Sequence, residues 1–121
     1  EHLDQLEPLF REHEDAIASL QKAASLTDDG ELYARIAQSH ANLSQWEKAA
    51  EVAATALEKG VDDPQDLHML RGMAYYELGR FGEAKQAFSQ AVKTEATRNT
   101  ASKWLAYVER EEERLQELGV Q

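Results

Sequence analysis

The chain has 121 residues, is 42% hydrophobic, 7% aromatic and 30% charged, and carries a formal net charge of −10. Nucleic acids and anionic membrane surfaces are recognised through basic footprints, so this charge argues against both. No apolar run approaches the ~18–20 residues of a membrane span, so direct membrane insertion is not expected, and the absence of cysteine excludes disulfides and thiolate sites.

The length predicts one domain over residues 1–121, and a chain opening at Glu1 with neither methionine nor leader reads as a mature form or a piece of something longer. Ala and Leu dominate the apolar residues and β-branched residues are scarce, which predicts an all-α chain. In chain order the expected helices are 2–11, 14–26, 30–43, 46–59, 64–78, 81–94 and 98–117, divided by Asp28-Asp29-Gly30, Gly60 to Pro64, and Gly79. Pro8 is expected to kink or fray the first of them, because an interior proline removes a hydrogen bond and clashes with the preceding turn. Three starts carry capping chemistry: Asp28 with Glu31, Ser44 with Glu47 as a capping box, and Asp63 before Pro64. In the last helix Ala101, Trp104, Leu105 and Val108 form an apolar stripe ahead of the charged run Glu109 to Arg114, which predicts a helix with one wet face.

The strongest signal is internal repetition. Residues 33–57 match 68–92 at an offset of 35, with Leu43 on Leu78, Trp46 on Phe81, Ala49 on Ala84, Ala56 on Ala91 and Leu57 on Val92. An offset of 33 carries Ala49, Ala56 and Leu57 back to Ala16, Ala23 and Ala24. Small residues at Gly72, Ala84 and Ala91 would let two antiparallel helices approach, while Tyr75, Phe81 and Phe88 fill the space between them. The first unit departs from this, with Ala37, His40 and Ala53 at the positions of Gly72, Tyr75 and Phe88, and should pack less tightly.

This pattern resembles the tetratricopeptide repeat, whose unit is about 34 residues. The resemblance implies an all-α, antiparallel helix-pair solenoid: a partial or degenerate repeat at 1–29, repeats at 30–63 and 64–97, and a capping helix at 98–118. The order of DDGELYARIAQSHANLSQWEKAAE, GVDDPQDLHMLRGMAYYELGRFGEAKQAF and TASKWLAYVEREEERL is also similar to the C-terminal region of bacterial tetratricopeptide proteins of TonB energy-transduction systems. That closer resemblance implies a periplasmic setting, with the cytoplasm as the alternative.

Chemistry is sparse. His2, His13, His40 and His68 form no metal-binding spacing, His40 aligns with a core tyrosine, and the aspartate pairs precede helices, where they serve caps and dipoles. No nucleophile elbow, phosphate loop or dinucleotide fingerprint occurs, so no enzyme, cofactor, metal or small-molecule substrate is expected. The resemblance instead implies a protein–protein interaction module taking a partner peptide or helix on its concave face. The positions free for that purpose are Glu31, Ala34, Arg35, Gln38, Ala41 and Asn42 in the first repeat. In the second they are Asp66, Met69, Leu70, Met73, Tyr76 and Glu77. The partner-binding set expected from them is Arg35, Gln38, Asn42, Met69, Met73, Tyr76 and Glu77. The second group is apolar for a groove, and Leu70 and Met73 have an alternative use in packing between first helices. A carboxylate-clamp function is not expected, because the positions where such clamps carry Lys and Asn hold Ala34, Gln38, Met69 and Met73, and the chain is strongly acidic. The competing reading is a structural segment of a longer array, self-assembling through the Leu3–Phe10 face.

Overall fold

The computed structural model describes residues 2–26 and 28–119, and for residues 2–10, 12 and 13 the backbone alone. Among the described residues there are six helices and no strand: α1 (His2–Ala24), α2 (Gly30–Asn42), α3 (Trp46–Lys59), α4 (Pro64–Glu77), α5 (Phe81–Ala91) and α6 (Glu95–Glu117). They form two compact units, Glu1–Asp62 with α1 to α3 and Asp63–Gln121 with α4 to α6. The fold class is all-α, as composition and periodicity indicate.

The helices expected at 2–11 and 14–26 are one. Arg11-Glu12-His13-Glu14 contains no glycine or proline, so nothing interrupts the backbone there, and α1 also continues through Pro8. The Leu3–Phe10 side chains lie outside the described residues. At the other end α5 stops at Ala91 and α6 starts at Glu95, each three residues earlier than expected, so the break lies at 92–94 and not at 95–97. Side chains from the first turn of α6 donate to carbonyls at the end of α5: Thr97 Oγ1 to Ala91 O at 2.6 Å and Arg98 Nε to Val92 O at 3.1 Å.

The three expected caps are used differently. Asp29, one residue beyond Asp28, caps α2 by accepting from the Glu31 amide at 3.0 Å. Asp28 instead pairs with Lys59 at 2.7 Å. Asp63 precedes Pro64 as expected, but its side chain makes no cap bond and meets Gln65 Nε2 at 3.4 Å. Ser44 is not the cap of α3: the helix spans Trp46–Lys59, the expected bounds, with Gln45 at the cap position. Ser44 belongs to the end of α2, where it holds the left-handed conformation at φ 58°. There its amide donates to Ala41 O at 2.9 Å and the Gln45 amide to His40 O at 2.9 Å. Gly79 does the same after α4, at φ 77°, with its amide on Tyr76 O at 3.0 Å and the Arg80 amide on Tyr75 O at 2.8 Å. Both turns reverse the chain in three residues (43–45 and 78–80) and lay the next helix antiparallel to the last, which is the repeated unit.

In the first unit Ile17, Ala24 and Ile36 form the buried cluster, flanked by Leu20, Leu32, Tyr33, Leu43 and Val52. Ala37, Ala49, Ala53 and Ala56 are fully buried, so α2 and α3 meet through small side chains. In the second unit Phe81, Ala84, Phe88 and Val108 form the cluster, with Met69, Tyr75, Tyr76, Trp104, Leu105 and Leu115 packed against it. The stripe expected on the last helix is therefore the seat of α6: Ala101 and Val108 are fully buried, and Trp104 and Leu105 half-buried.

Candidate functional site

The second unit carries a seam of aromatic side chains between α4 and α6. Trp104 stacks on Phe88 with ring centroids 5.5 Å apart and planes 9° from parallel. Its other neighbours are Tyr76 and Tyr107, each at 5.9 Å and edge-on. Tyr76 also meets Phe81 at 5.9 Å, and its hydroxyl donates to the Tyr107 hydroxyl at 3.1 Å. That hydrogen bond, with burial and the negative charges of Glu111 and Glu77 behind it, pushes the Tyr76 hydroxyl up to about 12. Phe88 and Phe81 thus form the floor, Trp104 and Tyr76 the half-buried walls, and Tyr107 the rim, 42% exposed. Lys103, Trp104 and Tyr107 line an apolar depression of about 260 Å³ on this surface.

The expected site residues fall on both units. Arg35, Gln38 and Asn42 are exposed on α2, where Gln38 Nε2 donates to Asn42 Oδ1 at 3.0 Å. On α4, Met73 and Glu77 are exposed, whereas Met69 and Tyr76 are half-buried and share their surface with the core cluster. Leu70 is a core residue, 9% exposed, and not a groove position. Glu31, exposed as expected, accepts the Asp62 amide on Oε1 at 2.8 Å. Trp104, Tyr107 and Lys103 were absent from the expected set, although Trp104 and Tyr107 stand at i and i+3 on the one helix face that meets Tyr76. Their spacing was available in the sequence; the partner helix that turns it into a surface was not.

Groups capable of chemistry are dispersed. His40 is buried, with Nδ1 2.7 Å from Gln45 Oε1; an amide oxygen opposite it makes Nδ1–H the donor. It lies at the edge of a cavity of about 370 Å³ between α1 and α3, together with Glu14, Gln21, Lys48 and Glu51. His2 and His13 have side chains outside the described residues. Among the described residues no three His, Asp or Glu side chains are grouped to hold a metal, and no helix is long and apolar enough to cross a membrane.

The tetratricopeptide repeat family model matches the chain twice, over residues 34–97 and 69–117, so that the two matches together run from α2 to the last turn of α6. Comparison with curated proteins gives no match. Tetratricopeptide repeats are generally protein–protein interaction modules, and their fold is typically a non-enzymatic scaffold. The paired helices, the small residues at their crossing and the family match over most of the length agree: the chain belongs to the tetratricopeptide repeat family.

Proposed function

We propose that this chain binds a peptide or helix of a partner protein along the seam of α4 and α6, with no catalytic step of its own. The observation that carries the reading is the exposed rim of an otherwise packed aromatic cluster. Tyr107 and Met73 keep 42% and 37% of their surface in water, and the half-buried Trp104 and Tyr76 hold the Tyr107 ring between them. Rigid aromatic side chains with one apolar face are the usual anchors of protein interfaces, and methionine adapts to irregular partners. The order of motifs through Trp104 and Tyr107 supports a finer setting, a TonB-type energy-transducing complex on the periplasmic side of the inner membrane.

Photo-crosslinking amino acids placed singly at Met73, Lys103 and Ala106 test both levels. The first two positions should give one and the same adduct, Tyr107→Glu should abolish it with helicity retained, and Ala106, exposed on α6 outside the seam set, should give none. Equal adducts from all three positions would reject the seam. An adduct confined to cytosolic fractions would leave the seam standing and remove the TonB setting.

A further inference from the structure

In the first unit Ile36 is buried in the apolar cluster with Ile17 of α1. The residue 35 positions further on, at the same place in the second unit, is Arg71. A guanidinium therefore stands where its counterpart is a core isoleucine. It is half-buried, lies 5.5 Å from the centroid of the Tyr75 ring, and reaches the Tyr75 hydroxyl at a long 3.4 Å. Neither contact supplies an anion. Arg71 Nε is buried without a hydrogen-bond partner, and no carboxylate pairs with Arg71 among the described residues. Another buried side-chain atom without a partner, His68 Nδ1, lies one turn earlier on the same helix. Burial first, and then the charges of Arg71 and Lys93, hold His68 below its usual range. Burying the Nε–H of a guanidinium without an acceptor costs free energy, and the Tyr75 hydroxyl that the group reaches is neutral, so the charge has no anionic partner.

Arg71 also forms part of the wall of a cavity of about 570 Å³ between α4 and α5, with Tyr75, Glu83, Gln86 and Gln90 among its other walls. The cavity's second cation, Lys85, is already bound to Glu112 at 2.6 Å. We propose that this cavity is a carboxylate-binding site, in which the Arg71 guanidinium donates to both oxygens of one carboxylate while Tyr75, Gln86 and Gln90 offer neutral donors around it. A monoanion suits the site better than a phosphate. The guanidinium fork matches two carboxylate oxygens, Lys85 is committed elsewhere, and Glu83 opposes a second negative charge. The carboxylate can belong to a free organic acid or to an acidic side chain of a partner, and the repeat match gives the clean control. Arg71→Ile installs the residue that the first unit already carries at this position.

The test is an NMR titration of the full chain, following the Arg71 Nε–H signal and the backbone amides of α4 and α5. The probes are acetate, the blocked tripeptide Ala-Glu-Ala, its Ala-Gln-Ala control, and inorganic phosphate. Saturable shifts with a millimolar Kd are expected for acetate and the glutamyl peptide, and none for the glutaminyl peptide. Tighter binding of acetate than of the glutamyl peptide assigns the site to a free acid, and the reverse order to a partner's side chain. Arg71→Ile should keep helicity and Tm, or raise Tm, while abolishing these shifts, and Arg71→Lys should weaken binding by at least about tenfold by losing the fork. Shifts of equal size with the glutaminyl peptide, tighter binding of phosphate, no saturation by any carboxylate, or full binding by Arg71→Ile would each overturn the assignment.

Discussion

Phe88 lies so close over Gly72 that a methyl carbon on the glycine would stand 2.7 Å from ring atoms Cε1 and Cζ. The same ring is stacked on Trp104. A missing side chain on α4 thus makes the space for an aromatic ring on α5, and that ring becomes the platform on which α6 is seated. The first unit solves the same crossing with Ala37 and Ala53, both fully buried, dividing the volume evenly where the second divides it between nothing and a ring.

Because Gly72 and Phe88 share one volume, their substitutions should be strongly non-additive. Gly72→Ala overpacks the crossing and should cost ~1–3 kcal/mol, and Phe88→Ala empties it at ~3–5 kcal/mol. Together they recreate the Ala–Ala crossing of the first unit, so the double variant should be more stable than the sum of the singles by ~0.5–3 kcal/mol. Urea unfolding followed by Trp104 fluorescence measures this cycle, and simple additivity would show that the two positions do not compete for space.

This crossing was legible in the sequence because it is local to one repeat and recurs: the 35-residue offset aligns Ala37 with Gly72 and Ala53 with Phe88. Helix ends were read less well. Serine followed three residues later by glutamate matches a capping box, yet Ser44 is held by carbonyls behind it and ends α2 rather than starting α3. The aligned Gly79 carried the correct signal, since glycine marks the left-handed residue that closes a helix. The seam was legible by half. Met73 and Tyr76 follow from the repeat, but Tyr107 lies 31 residues from its hydroxyl partner and across a helix whose approach to α4 no periodicity encodes. Arg71 was visible as a charge at an isoleucine's position; its significance required the orphaned Nε.

Ser44 should accept glycine with a gain. A left-handed backbone costs an L-residue roughly 1–2 kcal/mol, while glycine adds about 0.4–1 kcal/mol of unfolded-state entropy, so Ser44→Gly should stabilise the first unit by about 0.5–1 kcal/mol. Gly79→Ser, at φ 77°, should destabilise the second by a similar amount. Thermal unfolding of both variants decides the matter, and a Ser44→Gly variant with lowered Tm would mean that the hydroxyl contributes something the backbone account omits.

The Asp28–Lys59 pair joins the start of α2 to the end of α3, with the Lys59 ammonium 5.8 Å from the Tyr33 ring. Its hydrogen bond to Lys59, then the charge itself, hold the Asp28 carboxyl below the usual range. A depressed carboxyl stabilises the fold above its unfolded pKa, about 3.9, and that contribution is lost as pH falls through the lower folded value. Lys59 is shifted the other way, upward, by the same bond and charge, so its contribution is complete below pH ~10.4 and is lost as pH rises through the higher folded value. Both groups are exposed, so the effect is small and screened by salt. Carboxyl-carbon NMR should place Asp28 below an ordinary aspartate and return it toward normal in Lys59→Gln; an unchanged value in that variant would dissolve the pair.

Tyr76 offers the sharper titration. Its hydroxyl donates to Tyr107 and is pushed up to about 12 from 10.0, first by that bond and then by burial and the nearby negative charges. The folded pKa lies above the unfolded one, so the stabilisation is complete below pH 10 and is lost as pH rises toward about 12, where phenolate formation removes the donor. Tyr107→Phe deletes the acceptor while keeping the ring against Trp104. The last tyrosine to ionise in an ultraviolet titration should then do so at lower pH, though still above an ordinary phenol, since burial, Glu111 and Glu77 remain. The same variant bears on the seam, because losing the rim hydroxyl would leave the Tyr76 hydroxyl facing the surface with a free proton to donate. A partner that reads only apolar area should bind it unchanged, and one that takes a hydrogen bond from the rim should bind it more tightly. If the highest tyrosine pKa does not move, the two hydroxyls are not bonded and the rim of the seam is looser than the 3.1 Å separation describes.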